Sequence, residues 1–589
     1  MSAHMAPLPA RVPSPSRPQL QIVKPATASR SLYGLRAAFW LLGLAAAALQ
    51  AWGYRFLTSA DSIAYLDMSD GVMPGGDWHR LINGTWSPLY AVLIGTFRRA
   101  FGIKAANEIV ALHLLNVAFF AAAFVCFEIF LAMLLRKTRQ LTVAQGTGFP
   151  VPQWAIVSLA YTIFLWGSIA EIRLDFLRPD LLMSCFLYLV AAMLVSLSGR
   201  PARWRDYLLL GIVLGVAYLA KTPMLPIGLL VLAMSVIVVT NRRSALKMAV
   251  AAGAITLAIG SLYFVPLSRE RGKLTFGESG TYNYLIHVDR KSLPSWYPVN
   301  SANGGVVLKH PATQIFPSPA VFAFSTGPFA TYPLRFEPSW WLAGIKPGFS
   351  LSRQLGATYA NYIELRRTAR PLVPLITGLV LLAFFVSRNR AWLTTRSVWP
   401  VALLGLAGFA MYLLVHVEAR YTGAFFVLFL CAALSLFLEV QHRMTRLVIA
   451  VITPVIIVLL LFPLATRTYA TYRESAHSLD QDSFAANQLA TLGVRPGDRV
   501  GRISSILTDF GIERVARVEI ATEVDFTHTS EFWSAPREIQ NQVLQVMAGY
   551  GAKAVIATQP QLNRANQADW IHLGATDYWA WIPSASKAR

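Results

Sequence analysis

The fold is decided by the stretch YGLRAAFWLLGLAAAALQAWG at residues 33–53, which is followed after a short gap by DSIAYLD at 61–67. About 20 apolar residues span a bilayer, so residues 33–53 predict a membrane-spanning helix. Asp61 is the first acidic residue of the chain, and it stands at the mouth of this helix. A carboxylate in that place, followed by an aromatic-rich loop, suggests chemistry at the membrane surface.

The composition of the whole chain is that of an integral membrane protein. Of its 589 residues, 55% are hydrophobic and 14% are charged, whereas soluble proteins carry roughly 25% charged residues. The net charge is +22, but Lys and Arg cluster between apolar runs, which favours topology and lipid headgroups over nucleic acid as their explanation. The three cysteines lie inside apolar runs, so we expect core packing rather than disulfides or a metal site.

Eleven apolar runs are candidate membrane spans. They cover residues 33–53, 107–135, 153–170, 177–197, 206–220, 222–240, 246–267, 371–387, 397–416, 421–438 and 446–465. The segment 86–103 is apolar but short and carries Arg98 and Arg99. We therefore expect an interfacial or re-entrant helix there, whose arginines extend to lipid headgroups.

The positive-inside rule orients these spans. Basic clusters lie at residues 136–139, 200–205, 242–243, 388–390 and 442–446. If the N-terminus is inside and 86–103 does not span, all of these clusters face the cytoplasm. Counting 86–103 as a span would place all of them outside. The rule therefore favours the interfacial interpretation. Separately, we expect the protein to lie in a bacterial inner membrane.

This topology predicts three parts of the chain. Residues 1–32, rich in Pro, Ser and Ala, would form a disordered cytoplasmic tail, and residues 33–465 an all-α transmembrane domain of about 11–13 helices. Its large external loops would be 54–106 and 268–370. The tail at 466–589 predicts a small extracytoplasmic α/β domain. It has strand-like runs at 499–503, 515–520 and 553–557, and a helical stripe through Ile539, Val543, Val546 and Met547.

Asp61 and Tyr65 are the first candidate site residues. Tyr65 follows Asp61 by one helical turn, and an aromatic and polar loop follows both. Such a loop on the membrane suits a sugar and its lipid carrier, and a carboxylate there can act as a general base. The alternative is a solvated carboxylate at a helix end.

The segment EIRLDFLRPD at 171–180 is the second candidate. It places five charges in one turn between two spans, where charges are costly and usually face a cavity or one another. Arg173, Arg178 and Asp180 could therefore take part in a site. The alternative is a local ion-pair cluster that these residues form with Asp175.

Lys221, Arg420 and Tyr421 complete the set. Lys221 divides a long apolar stretch, so its ammonium needs a counter-charge, which a lipid phosphate would provide. Arg420 can bind phosphate through two parallel hydrogen bonds, and Tyr421 can donate another. A snorkelling lysine and a Glu418–Arg420 pair are the alternatives. The aromatic residues of 268–370, such as Trp340 and Trp341, could stack on sugars or form a core of the loop.

At these residues the chain resembles the GT-C superfamily of polyprenyl-phosphate-dependent glycosyltransferases. The resemblance covers roughly residues 33–440, and it is greatest to the branch of the lipid A aminoarabinose transferase and the protein O-mannosyltransferases. It rests on Asp61 with Tyr65, the WSPLY segment at 86–90, Arg-Pro-Asp at 178–180, GVAYLAK at 215–221, and Arg420 with Tyr421. Ser62 stands where several relatives have a second acidic residue.

The resemblance implies an enzyme that moves a sugar from a polyprenyl-phosphate donor to an extracytoplasmic glycan or lipid acceptor with inversion. Asp61 would be the general base and Asp180 would lie in the same cavity, while Lys221, Arg420 and Arg178 would hold the lipid phosphate. A divalent metal ion near Asp61 stays an open alternative.

Two other functions fit the same residues. A transporter or flippase of lipid-linked sugars would use the same cations to hold a phosphate. A non-catalytic envelope assembly protein would use residues 466–589 to bind a partner.

Overall fold

The computed structural model describes most of the chain. It covers residues 30–143, 149–290, 308–310, 312–324, 330–383, 388–437, 439–440, 443–476, 478–505, 510–558 and 569–583. All but the last three residues of the predicted tail at 1–32 lie outside this part of the chain.

The first half of the described chain is helical apart from a two-residue strand, β1 (Phe149–Pro150). Its helices are α1 (Arg30–Gly53), α2 (Ala60–Ser69), α3 (Pro88–Ala100), α4 (Glu108–Val143), α5 (Gln153–Leu165, continued by a π-helix over Trp166–Ile172), α6 (Asp180–Leu197), α7 (Trp204–Ala220), α8 (Met224–Val238), α9 (Arg242–Arg271) and α10 (Ser279–His287).

The second half combines helices with a sheet. Its helices are α11 (Pro333–Phe336), α12 (Pro338–Trp341), α13 (Leu351–Ala369), α14 (Val373–Ala383), α15 (Arg388–Leu413), α16 (Ala419–Leu434), α17 (Arg443–Ser475), α18 (Gln481–Thr491), α19 (Gly511–Ala516), α20 (Thr529–Ser534) and α21 (Arg537–Gly549). Its strands are β2 (Thr313–Phe316), β3 (Val321–Ala323), β4 (Glu439–Val440), β5 (Arg499–Ile503), β6 (Glu519–Val524), β7 (Ala554–Thr558), β8 (Ile571–His572) and β9 (Tyr578–Trp581).

Long apolar helices confirm the predicted polytopic membrane fold. In the described part of the chain, seven helical stretches are long and apolar enough to cross a membrane. They are Leu32–Gly53, Ala105–Gln140, Gln153–Ile172, Asp180–Leu197, Arg242–Arg271, Ala419–Phe437 and Arg443–Ser475. The other predicted spans coincide with α7, α8, α14 and α15, which are shorter or less apolar.

The short helix α3 differs from its prediction in one respect. Its 13 residues reach only about 20 Å, too short to cross the hydrocarbon core. The arginines were expected to reach headgroups, but the side chain of Arg98 is only 2% exposed and pairs with Asp70 and Glu108, each at 2.9 Å. The apolar sequence around Arg98 predicts that this residue lies near the membrane. It does not predict the two carboxylates that the fold places beside it.

The C-terminal sheet is larger than the sequence predicts. Its order is β2-β3-β6-β5-β7-β9-β8, in which β5 is parallel to both β6 and β7. Strands β2 and β3 come from the loop 268–370, so the domain is not confined to 466–589. α17 also continues ten residues beyond the predicted boundary, to Ser475, because a helix persists after its apolar run has ended.

The strand predicted at 515–520 is partly wrong. Residues 511–516 form α19, whose end is set by Arg517 in the left-handed conformation (φ 59°), and the strand β6 begins at Glu519. Val515 and Val518 fit a strand and a short buried helix equally well, so hydrophobicity alone did not separate them. The strands at 499–503 and 554–558 and the helix 537–549 lie close to their predicted places.

The core of the C-terminal domain includes α2 of the membrane domain. Ala60 and Ile63 of α2 pack in one buried cluster with Phe322 of β3 and with Val500 and Ile520 of the central strands. Trp341 belongs to the same cluster and is fully buried, so this loop aromatic serves the core. The helix that carries Asp61 is thereby shared by both domains.

A close helix crossing fixes the position of α16. A Cβ atom added to Gly423 would lie 2.7 Å from the carbonyl oxygen of Gly167, and one added to Gly167 would lie 3.1 Å from the carbonyl oxygen of Gly423. The two backbones therefore touch without room for a methyl group.

We expect Gly423→Ala to lower the free energy of unfolding by about 1–3 kcal/mol, because an added methyl would have to push two helix backbones apart. Thermal unfolding of the protein in detergent would measure the change. Gly34→Ala is the control, since a Cβ there meets nothing within 4 Å. Equal melting temperatures for Gly423→Ala and the wild type would contradict the prediction.

The C-terminal sheet should respond to pH through Glu523. Burial raises the pKa of Glu523 to about 7, although Arg502 and the hydroxyl of Tyr332, which donates to it, act in the opposite direction. The folded state therefore binds this proton more tightly than the unfolded state, whose Glu has a pKa near 4.3. The stabilisation is fully present below about pH 4 and is lost as the pH rises through about 7.

Glu523→Gln should flatten that dependence, because the amide keeps an acceptor for Tyr332 but does not titrate. The difference in unfolding free energy between pH 5 and pH 8 should shrink, by at most about 3 kcal/mol at about 1.4 kcal/mol per pKa unit. Melting curves at both pH values would test it. An unchanged pH dependence would show that Glu523 is ionised alike in both states.

Candidate active site

The N-terminus of α2 holds Asp61 in place. The hydroxyl of Ser59 caps the helix by accepting from the backbone N–H of Ser62 at 3.2 Å, so Asp61 lies in the first turn, where the helix dipole favours a carboxylate. The other nine residues of α2 are buried, and Asp61 alone retains partial exposure, at 25% of its side chain. The helix therefore presents a single carboxylate to the interior space described below.

Ser62 joins α2 to the charged segment at 171–180. Its hydroxyl accepts a hydrogen bond from the backbone N–H of Leu177 at 3.1 Å and is fully buried. A carboxylate at this position would be buried beside a packed backbone. Ser62 thus has a structural role, which brings Arg178 and Asp180 close to Asp61.

Arg178 and Asp180 diverge toward different partners. The Nε atom of Arg178 lies 4.0 Å from Asp61, whereas Asp180, at the start of α6, pairs with Lys221. The Nε of Arg178 and the Oδ2 of Asp180 are both buried and have no hydrogen-bond partner within the described residues. The local ion-pair cluster that was the alternative to a site is therefore formed in part only, by Arg173 and Asp175 at 3.1 Å.

Lys221 ends α7 and points into the same region. Its ammonium pairs with Asp180 and lies 4.3 Å from the ring centre of Tyr421. Burial lowers the pKa of Lys221, and the carboxylate of Asp180 counteracts that effect. The expected counter-charge was a lipid phosphate, but in the structure the protein supplies one itself.

Arg420, in the first turn of α16, connects the two acids. Its Nη1 atom lies 3.2 Å from Asp61 and 3.8 Å from Asp180. The same guanidinium pairs with Glu418 and donates to the hydroxyl of Tyr421 at 3.0 Å. Burial acts to raise the pKa of Glu418, but hydrogen bonds from His416 and Arg420 hold it well below its usual range. Arg420 is thus a positive centre between carboxylates of three chain segments.

These residues line a cavity of about 520 Å³ at one end of the helix bundle. This volume falls within the range of roughly 300–1,000 Å³ that is typical of small-molecule sites. Six of the eight predicted site residues line it, namely Asp61, Tyr65, Asp180, Lys221, Arg420 and Tyr421. We call this space the main cavity.

The other two predicted residues, Arg173 and Arg178, line a neighbouring cavity of about 590 Å³. Arg173 has a partly exposed side chain, pairs with Asp175 and donates to the hydroxyl of Tyr54 at 2.6 Å. Arg173 therefore does not lie beside Asp61 and Asp180, the two catalytic candidates. Arg178, which faces Asp61 from this side, lies between the two cavities.

Several lining residues of the main cavity were not predicted. Arg335 of α11 and Tyr282 of α10 enter it from the loop 268–370, and His287 and His416 form part of its wall with parallel rings 3.6 Å apart. Short helices of the loop bring in Arg335, Tyr282 and His287, whereas His416 lies just before α16, and no periodic pattern in the sequence marks any of them. The only signal in the sequence is the high aromatic and polar content of the loop.

The described residues do not support a metal centre. Among them, no group of three or more His, Cys, Asp or Glu side chains could hold a metal ion. Asp61 and Asp180 instead each face a cation of the protein.

The architecture, a polytopic helical bundle with a cavity at one end and an α/β domain above it, is that of the GT-C fold. It is similar to the crystal structure of ArnT from Cupriavidus metallidurans in the apo state. The sequence identity is 11%, the TM-score is 0.50, and the match covers 93% of this chain and 98% of that one. ArnT is a lipid A aminoarabinose transferase, so the predicted resemblance to that branch is confirmed for the fold.

The same ArnT bound to undecaprenyl phosphate is matched with a TM-score of 0.38 and 11% identity, over 94% of this chain and 98% of that one. No protein-family model and no curated protein matches the chain in sequence.

The Lys221–Asp180 pair predicts strong coupling. Removing either partner leaves a charge in a largely buried place, whereas removing both does not. We expect Asp180→Asn and Lys221→Met to show a coupling energy of about 1–3 kcal/mol in a double-mutant cycle of thermal unfolding.

The Arg367–Glu364 pair of α13 is the control, because both of its side chains are exposed, at 71% and 37%. Its coupling should stay below about 1 kcal/mol, as for exposed pairs. Additive effects of Asp180→Asn and Lys221→Met would contradict the assignment of a coupled pair in the main cavity.

Proposed function

We propose that the protein is a membrane glycosyltransferase that moves a sugar from a polyprenyl-phosphate donor to a glycan or lipid acceptor outside the cytoplasm. The observation that supports this most is the contact of one guanidinium, that of Arg420, with both Asp61 and Asp180 inside the main cavity. The likeness of fold to ArnT agrees with the proposal.

The cations of the cavity suit a lipid phosphate. The ammonium of Lys221 has three donors and one carboxylate partner, so it can accept a further anionic ligand. Arg420 and the buried Nε of Arg178 offer donors from two other directions. Because negative charge grows on the phosphate as the sugar leaves, these fixed cations would stabilise the transition state more than the ground state.

Asp61 is the proposed general base. Its partial exposure within the cavity leaves it accessible to an acceptor hydroxyl, and the Nη1 atom of Arg420 lies 3.2 Å from it. As the acceptor oxygen bonds to the anomeric carbon, its proton passes to Asp61. The bond from that carbon to the phosphate oxygen breaks with its electron pair, which leaves a polyprenyl phosphate and an inverted sugar.

Asp180 would orient rather than accept the proton. Its Oδ1 is engaged by Lys221, while its Oδ2 is buried and accepts no hydrogen bond from the described residues. That oxygen can accept from a hydroxyl of the donor sugar. Tyr65 and Trp86, whose rings lie 5.6 Å apart beside Asp61, give the sugar an aromatic wall.

Asp61→Asn should abolish transfer while the protein folds, because the amide is similar in shape but cannot take a proton. We expect a loss of at least about 100-fold, the usual contribution of a general base. The measurement is mass spectrometry of envelope glycolipids and polysaccharides from cells that carry either form. One sugar should disappear from one glycan, and its polyprenyl-phosphate donor should accumulate.

Asp77→Asn is the control, since this exposed aspartate of the same loop lies outside the main cavity and pairs with His79. It should leave the glycan profile unchanged. A wild-type profile in Asp61→Asn, with normal protein levels, would refute the role of Asp61. Movement of the lipid-linked sugar across wild-type proteoliposomes without an acceptor would instead favour a transporter.

A further inference from the structure

A cluster of six charged side chains joins the C-terminal domain to the membrane domain. Three are basic and three are acidic: Arg98, Arg514, Arg517, Asp67, Asp70 and Glu108. We call it the docking cluster. Arg514 and Arg517 belong to α19 and its end, and the other four residues belong to α2, α3, the start of α4 and the turn that follows α2.

Arg514 is the centre of the docking cluster. Its Nη1 atom lies 2.6 Å from Asp67 and 2.6 Å from Asp70, and its Nε atom lies 2.8 Å from Glu108. One planar guanidinium thus connects the C-terminal domain to α2 and α4 at once. A lysine could not do so with the same geometry, because its ammonium is a point charge without a fork.

The burial of these groups makes their pairing obligatory. The side chains of Arg514 and Asp67 are each 2% exposed, and Glu108 is fully buried. Unpaired charges in such a place are strongly destabilising, so the three cations and three anions must stay in register. Asp67 also accepts hydrogen bonds from the backbone N–H and the hydroxyl of Thr331, at 2.9 and 2.8 Å.

Asp67 lies on the same ten-residue helix as Asp61. They are six positions apart in the sequence, or about 9 Å along the helix axis. The start of α2 is fixed by Ser62 against Leu177, and its end is fixed by Asp67 against Arg514. A rotation or shift of the helix end would therefore move Asp61 relative to Arg420.

We propose that the C-terminal domain positions Asp61 through Arg514, which holds the far end of α2 by its ion pair with Asp67. The inference rests on the proposed function, in which Asp61 is the general base. It makes Arg514 and Asp67 positioning residues, since neither lines the main cavity. It also assigns the α/β domain a part in catalysis rather than partner binding alone.

The test compares three variants of the full-length protein. Arg514→Gln removes the guanidinium group and leaves a net negative charge in the cluster. Arg514→Gln combined with Asp67→Asn restores the charge balance of the cluster but not the ion pair between the two residues. Arg537→Gln is the matched control, because Arg537 forms a bidentate pair with Asp569 in the same domain but on its exposed surface.

Two readouts are needed, and the first does not depend on activity. Hydrogen–deuterium exchange over residues 60–69 should be faster in the double variant than in the wild type and in Arg537→Gln. The second readout is transfer kinetics, where kcat should fall by about 100-fold, as a displacement of about 1 Å can cause. The KM for the polyprenyl-phosphate donor should change little, since Lys221 and Arg420 are intact.

The outcomes separate this inference from the proposed function. Faster exchange in α2 of the double variant together with a fall in kcat supports positioning. Faster exchange in the double variant, when the wild type itself shows no transferase activity, means that the proposed function alone fails. Wild-type exchange or wild-type kcat in the double variant would overturn the inference, because charge balance would then suffice. Unfolding of the double variant would overturn it too, since the cluster would then maintain the whole fold.

Discussion

The position of Arg420 between Asp61 and Asp180 is the interaction on which the site depends. The two carboxylates and this guanidinium come from chain segments up to 359 residues apart, and like charges so close together are tolerated only around a cation. The helix ends that carry them must therefore meet at one end of the bundle. The glycine contact between Gly167 and Gly423 brings α16 close enough for that meeting.

The sequence predicted which charged residues lie within or beside membrane spans better than it predicted which partners their side chains contact. A charge inside or beside an apolar run must find a partner or a cavity, so Asp61, Asp180, Lys221 and Arg420 could be selected from the sequence alone. Their ion-pair partners could not be predicted, because the apolar pattern does not indicate which neighbouring helix a helix end faces. Arg173, for example, pairs with Asp175 rather than lining the main cavity, as the alternative of a local ion-pair cluster had it.

The same limit explains the errors in the fold. Spans were predicted well, because a bilayer sets their length and composition. The C-terminal domain was predicted in its central strands, but β2 and β3 come from a loop more than 170 residues earlier than β5, and short strands carry little local signal. The burial of Arg98 likewise depends on Glu108 and Asp70, which only the folded chain brings near it.

The two charge clusters of the protein differ in a way that bears on their roles. In the docking cluster, Arg514 meets carboxylates on several sides and is almost fully buried, as suits a permanent joint. In the main cavity the balance of charge is similar, but the Oδ2 of Asp180 has no hydrogen-bond partner among the described residues, and Lys221 keeps donors to spare. Buried polar groups are costly when unsatisfied, and a catalytic role, a water or an ion are among the reasons why a native structure leaves them so. The carboxylate oxygens of the docking cluster all have partners among the described residues, whereas the Oδ2 of Asp180 and the spare donors of Lys221 suit the ligand of the proposed function.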